Sequence, residues 1–291
     1  MKLIFDGNFM AHRARHTTGR LRNGIAFGML KSMHTVCRRF NTNDMTWVFD
    51  GGKSKKRMEA LPDYKSDRGV VDGLFSSQVE WATQALESLG ASLLVWPGVE
   101  ADDIIGALAK RQEGDVIVVS SDKDFLQLID ENISVFNPIK NELTTKEDME
   151  NWLGGEPVSR YLEVKSMIGD PSDSIPGIKG IGIKTAIKSL KDFQCFDSLP
   201  SSAFKGRMCV INEPETIEIL QRNHGLMRLP EDFHFIDISQ EDMINFLKYI
   251  GVEMNRSVVD LDRFESWVKT SGMKSILNKL GEWNDFYGRG N

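Results

Sequence analysis

Cysteine is scarce: the 291 residues contain Cys37, Cys195 and Cys209, an odd and scattered set. That excludes a disulfide scaffold or a zinc module built on paired Cys spacing, and it fits a reducing cytoplasm. Long hydrophobic runs are missing too. Stretches such as Ser92–Trp96 and Val116–Val119 fall far short of the roughly 18 apolar residues a membrane span requires. The first residues do not read as a secretory leader, because one Lys precedes three apolar residues and Asp6 follows at once. No membrane association is therefore expected. Internal repeats and low-complexity tracts are also lacking. With 41% hydrophobic and 27% charged residues, the composition is that of a folded globular chain. The length suits one large or two modest domains.

What is present is an uneven charge. The net charge is −6, yet residues 1–68 carry 14 Lys and Arg against 6 Asp and Glu. The remaining residues carry 22 against 36. A basic front on an acidic body suits a protein that holds polyanions at one surface and cations at another.

Strand-like runs lie at Lys2–Phe5, Thr46–Phe49, Ala91–Trp96, Asp115–Ser120 and Ile133–Phe136, with helical periodicity near 24–40, 76–89, 100–111 and 122–129. Near-continuous apolar strands alternating with helices predict an α/β fold with a central, mostly parallel sheet. After about residue 145 helical patterns take over, near 145–153, 158–168, 182–190, 214–224, 241–251, 256–268 and 273–281. The expected division is an α/β core over 1–145 and a helical region over 146–291. Two stretches break the rhythm. Residues 51–75 read as a long, basic, weakly apolar loop, and residues 169–186 are too rich in glycine for a plain helix.

Acids recur where strands end. Asp6 closes the first run, Asp50 follows the second, Glu100, Asp102 and Asp103 open the helix after the third, and Asp122 and Asp124 follow the fourth. In a parallel sheet these positions share one edge, where open α/β folds bind ligands. Asp170 and Asp173 are placed to join from the helical half. Clustered acids raise one another's pKa unless cations sit among them. Oxygen-only clusters select hard divalent ions, Mg2+ or Mn2+, whose bound waters can serve as nucleophiles. Helix capping accounts for any one of these acids, but hardly for so many strand ends in register. The histidines lack triad or ligand spacing. Trp81, Phe125 and Trp152 read as core.

The segment Gly177-Ile178-Lys179-Gly180-Ile181-Gly182-Ile183-Lys184-Thr185 reads as a tight turn opening a helix. Glycine lets the backbone approach a ligand, and amides at a helix start attract phosphate. It is not a Walker loop, since the Gly-Lys-Ser/Thr ending is absent.

Together these residues resemble the 5′-nucleases of the flap endonuclease type, especially the free-standing phage enzymes. The resemblance runs from residue 1 to about 190 through Ile4-Phe5-Asp6-Gly7, Phe49-Asp50, Leu61–Arg68, Gly98–Asp103, Ser120–Phe125 and Gly169–Thr185. The tail after about 210 resembles, more loosely, the ribonuclease H enzymes of T-even phages. The resemblance implies a sheet flanked by helices, a basic arch near 51–77 and a DNA-gripping helix–three-turn–helix near 169–190. It implies that Asp6, Asp50, Glu100, Asp102, Asp103, Asp122, Asp124, Asp170 and Asp173 bind two Mg2+ ions, with Mn2+ as a substitute. Lys65 and Arg68 would contact the scissile phosphate. Gly177, Gly180, Gly182 and Lys184 would hold backbone phosphates, with a K+ ion at the hairpin. Arg13, Lys53, Lys55, Lys56 and Arg57 would line the nucleic-acid path, and Tyr64 would stack on a base. The short arch departs from strict single-strand threading.

The expected activity is 5′-3′ exonuclease and flap endonuclease cleavage, with RNA primer removal, leaving 5′-phosphates. The expected partners are branched or nicked duplex DNA with a 5′ end or flap, RNA–DNA hybrids and replication proteins. A non-catalytic DNA-binding protein would not need all nine acids. A toxin-type ribonuclease is usually much shorter and lacks the glycine hairpin.

Overall fold

In the computed structural model, residues 1–66, 73–193, 211, 213–254 and 258–288 are described. The first half alternates strand and helix: β1 (Lys2–Asp6), α1 (Gly7–Thr18), α2 (Gly24–Phe40), β2 (Met45–Val48), α3 (Lys55–Ala60), α4 (Gly73–Ser88), β3 (Ser92–Leu94), α5 (Ala101–Arg111) and β4 (Val116–Val119). A 3-10 turn over Lys123–Leu128 leads to β5 (Ile133–Asn137) and β6 (Glu142–Thr144). The rest is mainly helical: α6 (Lys146–Trp152), α7 (Tyr161–Ile168), the short pair β7 (Gly169–Asp170) and β8 (Ile175–Pro176), then α8 (Ile183–Ser189) and α9 (Pro214–Met227). Helices α10 (Gln240–Met254), α11 (Leu261–Ser271), α12 (Lys274–Leu277) and α13 (Leu280–Tyr287) follow.

The central sheet has the order β3-β2-β1-β4-β5-β6. Every pairing in it is parallel except β5 with β6. The expected α/β class with a mostly parallel sheet and a helical C-terminal region is therefore what the chain adopts. Alternation splits each strand between two apolar layers. Ile4, Val48, Val116 and Val118 face a layer with Ile104, Leu108, Val164, Met167 and Phe246. Leu3, Phe5, Trp47, Ile117 and Val119 face the other, with Met10, Met29, Leu86, Phe264, Trp283 and Tyr287. Both layers thus draw on residues before and after position 145. Among the described residues no helix is long and apolar enough to cross a membrane.

Several local expectations shift. Helix α1 escaped the periodicity reading because only Gly7, Met10, Ala11 and Ala14 of its twelve residues are buried. The expected loop after Asp50 contains α3, started by the Ser54 side chain accepting from Arg57 N. The helix expected near 122–129 is a 3-10 turn. The one expected at 273–281 breaks into α12 and α13, and α11 starts at Leu261 behind an Asp260 cap. Trp152 is 41% exposed rather than in the core.

Candidate active site

The parallel strands β1, β2 and β4 end side by side, and each end delivers a carboxylate. Asp6 closes β1 and caps α1, accepting from Phe9 N at 2.9 Å and from the Ser120 hydroxyl at 2.8 Å. Asp50, two residues past β2, is held by Asn8: its amide donates to Asn8 Oδ1 (3.0 Å), and Asn8 Nδ2 donates to its Oδ2 (2.9 Å). The other Asp50 oxygen accepts from Ala101 N at 2.8 Å, so it caps α5 from outside. Glu100 sits at the start of α5 but makes no capping bond. Asp122 caps the 3-10 turn through Asp124 N at 2.9 Å. Asp170 caps the turn between β7 and β8, accepting from Ser172 N at 2.9 Å. In each of these aspartates a backbone amide fixes one oxygen, and in three the other is held by a side chain: Asp6 by Ser120, Asp50 by Asn8 and Asp170 by Lys165.

The acids separate into two groups. Behind the cleft, Arg57 from α3 grips Asp103 with both guanidinium nitrogens, at 2.6 and 3.1 Å, and donates to Glu100 at 2.6 Å. Glu100 also accepts from Lys65 Nζ at 2.9 Å and from the Tyr64 hydroxyl at 3.0 Å. Burial alone would raise Glu100, but Lys65 and Arg57 hold it below the usual carboxylate range. Asp103 differs: burial outweighs Arg57 and pushes it up to about 6. Burial alone would lower Lys65, but Asp102 and Glu100 hold it above its ordinary value, so it stays charged.

In the open part, cations are fewer. Lys165 of α7 bridges Asp124, at 2.9 Å, and Asp170. Burial would raise Asp170, but Lys165 holds it low. Asp124 Oδ1 is buried without a well-aligned hydrogen bond, and burial outweighs Lys165 to leave this acid raised. Burial and then Asp102 push Asp6 up to about 7, and burial, Asp102 and Asp124 push Asp122 up to about 8. Asp50 lies at the exposed rim, yet desolvation of its carboxylate and the charge of Asp102 raise it as well. Asp102 faces Lys65 at 3.6 Å, and Asp173 faces it at 3.8 Å. Among the described residues no three metal-ligating side chains close on a single point. The acids gather instead along the strand-end edge, the cleft side of the sheet, close enough for Asp102 to raise Asp6, Asp50, Asp122 and Asp124.

Beside the cleft, α7, the β7–β8 pair and α8 form a helix–hairpin–helix. Ile178 and Ile181 are buried and anchor the turn, while Lys179, Gly180, Gly182 and Lys184 are exposed. A Cβ on Gly177 would lie 2.2 Å from the Ile168 carbonyl, so glycine is required where the turn crosses the end of α7. Gly180 has φ +85°, the left-handed region glycine adopts freely.

Two expected nucleic-acid contacts, Arg57 and Tyr64, do not fit their surroundings. Arg57 is 9% exposed and committed to Glu100 and Asp103, so it does not line a nucleic-acid path. Tyr64 is 3% exposed with its hydroxyl on Glu100, and offers no face for stacking on a base. Glu100 and Asp103, expected among the metal ligands, are engaged by cations at the back of the cleft. Lys53 ties down the segment after α3, donating to the Lys65 carbonyl at 2.8 Å. Lys55 and Lys56 are exposed. Arg13 donates to Ser32 (2.6 Å) and to the Pro138 carbonyl (3.4 Å), on the α1–α2 side. Arg68 lies outside the described residues. Sequence reasoning missed Asn8, Ser120 and Lys165. The Asp6-Gly7-Asn8 and Ser120-Ser121-Asp122 contexts put the first two beside acids already identified, and Lys165 precedes Asp170 by little more than one helical turn.

Known proteins resemble the chain over both of its halves. The profile of the 5′-3′ exonuclease N-terminal resolvase-like domain matches residues 1–154, and that of the 5′-3′ exonuclease C-terminal SAM fold matches residues 156–243. A 5′-3′ exonuclease of Aquifex aeolicus is 30% identical over 286 residues, covering 95% of this chain and 94% of its own length. One from Buchnera aphidicola subsp. Schizaphis graminum is 35% identical over 201 residues, 66% of this chain and 70% of its own. In fold, the T5 D15 protein co-crystallised with metal ions superposes with a TM-score of 0.73 at 24% identity, over 87% of this chain and 99% of that one. The catalytic core of Rad2 in complex with DNA substrate superposes at 0.57 with 19% identity, over 97% and 90% of the two chains. Shared profiles over both halves, near-full-length similarity to a named exonuclease and a sheet edge lined with acids lead to one conclusion: the chain belongs to the 5′-3′ exonuclease family.

Proposed function

We propose that the chain is a divalent-metal-dependent, structure-specific 5′-nuclease, acting as a 5′-3′ exonuclease and flap endonuclease and removing RNA from RNA–DNA hybrids. The observation that carries this reading is the set of acids converging on the open cleft from β1, β2, β4, α5 and the β7–β8 turn, with too few cations to neutralise them. Its solved neighbours include a T5 flap endonuclease in a pseudo-enzyme-product complex with DNA and metal ions.

The cleft suits hard divalent ions. Its donors are all oxygens, Asp124 Oδ1 is buried against the Lys165 ammonium without a well-aligned hydrogen bond, and burial, followed by the charge of Asp102, pushes Asp6 and Asp122 up to about 7 and 8. Donors gathered along an open edge fit a small cation that keeps part of its water shell. Asp6, Asp50, Asp102, Asp122, Asp124, Asp170 and Asp173 would hold two Mg2+ ions, which Mn2+ would replace. Bound there, the ions would supply an activated water and stabilise charge on the scissile phosphate and its leaving oxygen.

The chain's own groups do the rest. Ser120 and Phe9 N orient Asp6, Asn8 orients Asp50, and Ser172 orients Asp170. Lys65, 3% exposed and fixed between Glu100, Asp102 and Asp173, would hold permanent positive charge behind the acids, opposing the negative charge a phosphate gains during hydrolysis. Arg68 would add to it. The exposed turn Lys179–Lys184 would bind duplex backbone phosphates, with K+ at its carbonyls, fixing position without reading sequence. Lys55 and Lys56 would face the same strand. Cleavage would leave 5′-phosphates, and flaps and primers place the work at cytoplasmic DNA replication, beside replication proteins.

The test is cleavage of a 5′-labelled flapped duplex and of an RNA–DNA hybrid with Mg2+, against EDTA and the Asp122→Ala and Asp170→Ala variants. Cleavage near the junction that EDTA and both substitutions abolish supports the reading. Tight DNA binding without cleavage in Mg2+ or Mn2+ refutes it.

A further inference from the structure

A cavity of about 280 Å3 lies between α1, α2 and the turn joining β5 to β6. Its wall carries Arg13, Lys31 and Arg39 together with Ser32, Thr35 and Phe136. None of these three cations pairs with a carboxylate among the described residues, in contrast to Arg57, Lys65, Lys110, Arg111, Arg160 and Lys165. The guanidiniums are nonetheless held in place. Arg13 is fixed by the Ser32 hydroxyl and the Pro138 carbonyl, and Arg39 by Asn141 Oδ1 at 2.6 Å and by the Phe136 ring, 4.8 Å from its centroid. Neutral partners position a cation without cancelling its charge, which is how a site for a phosphate is pre-organised.

Its place in the fold matters. Asp6 caps α1, and Arg13 stands seven residues further along the same helix, an axial distance of about 10 Å. Pro138 follows β5 at the sheet edge that carries the acids, two strands or about 10 Å from β1. One strand of nucleic acid can therefore reach both the cleft and this cavity.

We infer that the cavity is a second phosphate-binding site, which grips a backbone phosphodiester of the bound strand outside the cleft. This deepens the 5′-nuclease reading and rests on it.

The test uses the full chain with Lys31→Ala/Arg39→Ala and, separately, Thr35→Glu, which puts a negative charge into the cavity. Binding of a fluorescent flapped duplex is followed by anisotropy in EDTA across a salt series. The double variant should bind roughly 10-fold more weakly, with a salt slope reduced by about 0.7 to 0.9 for each phosphate the protein no longer neutralises. Thr35→Glu should weaken binding in the same direction, both variants should keep the wild-type melting temperature, and cleavage at saturating substrate should keep its rate. Substrates with a 5′-phosphate and a 5′-hydroxyl should lose affinity equally. A loss confined to the phosphorylated end, or to competition by inorganic phosphate, would replace the backbone phosphodiester with a terminal or free phosphate and overturn the inference. Unchanged affinity and slope in both variants would overturn it as well. Wild-type protein that cleaves while the variants bind normally would sink only this site, whereas wild-type protein that never cleaves would sink the nuclease reading.

Discussion

Replacing Arg57 with alanine would strand charge in the protein interior. Asp103 is 4% exposed, and Arg57 donates to both of its carboxylate oxygens, at 2.6 and 3.1 Å. Glu100 would keep Lys65 and Tyr64, so the uncompensated group is Asp103. Breaking a buried pair by removing one partner costs about 3–5 kcal/mol, and the surviving partners of Glu100 point to the lower end, about 3 kcal/mol at pH 8. The loss should also depend on pH. Asp103 is already pushed to about 6 by burial, and without Arg57 it rises further. Once protonated it is no longer a buried charge, so below its new pKa the penalty shrinks by up to about 1.4 kcal/mol per pH unit. Urea unfolding of wild type and variant at pH 8 and pH 5.5 reads both quantities. Arg57→Lys should recover part of the stability, because it returns the charge without the two-pronged grip. A loss under about 1 kcal/mol at pH 8, or an equal loss at both pH values, would refute the reasoning.

Other expectations follow from single features. Burial against the C-terminal aromatic cluster and the charge of Arg38 lower His34 to about 4, and its ring stacks on Trp283 at 4.1 Å. Its contribution is therefore complete above pH 6.5 and declines as pH falls toward 4, by about 1–2 kcal/mol after allowance for partial exposure; thermal melts of wild type against His34→Phe should show this difference. Asp6 and Asp122 bind protons more tightly when folded, so they favour the metal-free fold at low pH, and that contribution is lost as pH rises through about 7 and 8. Mg2+ binding at pH 7 should consequently release protons, visible by calorimetry in buffers of different ionisation enthalpy, and the release should vanish by pH 9.5. Gly180→Ala should cost about 1–2 kcal/mol through its φ of +85° alone, since its Cβ would meet nothing within 4 Å. Asp122→Asn should end cleavage yet tighten DNA binding in EDTA at pH 9.5, where the wild-type carboxyl is ionised and the substitution removes a repelling charge; weaker binding in an anisotropy titration at that pH would contradict that.

The sheet and its acidic edge were legible because local signals agree with a topological rule. Leu3-Ile4-Phe5, Met45–Val48 and Val116–Val119 are apolar on both faces, and parallel strands must then end together, which brings Asp6, Asp50 and Asp122 to one place. What sequence could not show depends on pairing across distance. Arg57 follows three lysine positions in a basic stretch and reads as a solvated charge; only its contacts 43 and 46 residues away turn it inward. Tyr64 moves with it, because the same Glu100 receives its hydroxyl. Lys165 looks like an ordinary helix lysine until the β7–β8 turn folds Asp170 back onto it. His34 meets Trp283 and Tyr287 only after the C-terminal helices pack against the N-terminal layer.

The charge distribution then explains why one molecule is basic at its front and acidic behind. Among the described residues three buried cations, Arg57, Lys65 and Lys165, sit within a cluster of nine acids. All three lie at the back or the α7 side, so the negative excess is concentrated at the strand ends of β1, β2 and β4. A bare cleft of that kind repels a phosphate backbone. The strand must therefore be held by groups that surround the cleft rather than by the cleft itself. On the proposed reading, Lys55 and Lys56 after β2, the exposed turn ending at Lys184, and the α1–α2 cavity, whose three cations face no carboxylate among the described residues, would hold it. Divalent ions bound there would convert the repelling centre into an attracting one. Binding and chemistry would then be separated in charge as well as in space: the flanks would capture the strand whether or not metal is bound, while the acids would act on it only once their protons had given way to cations.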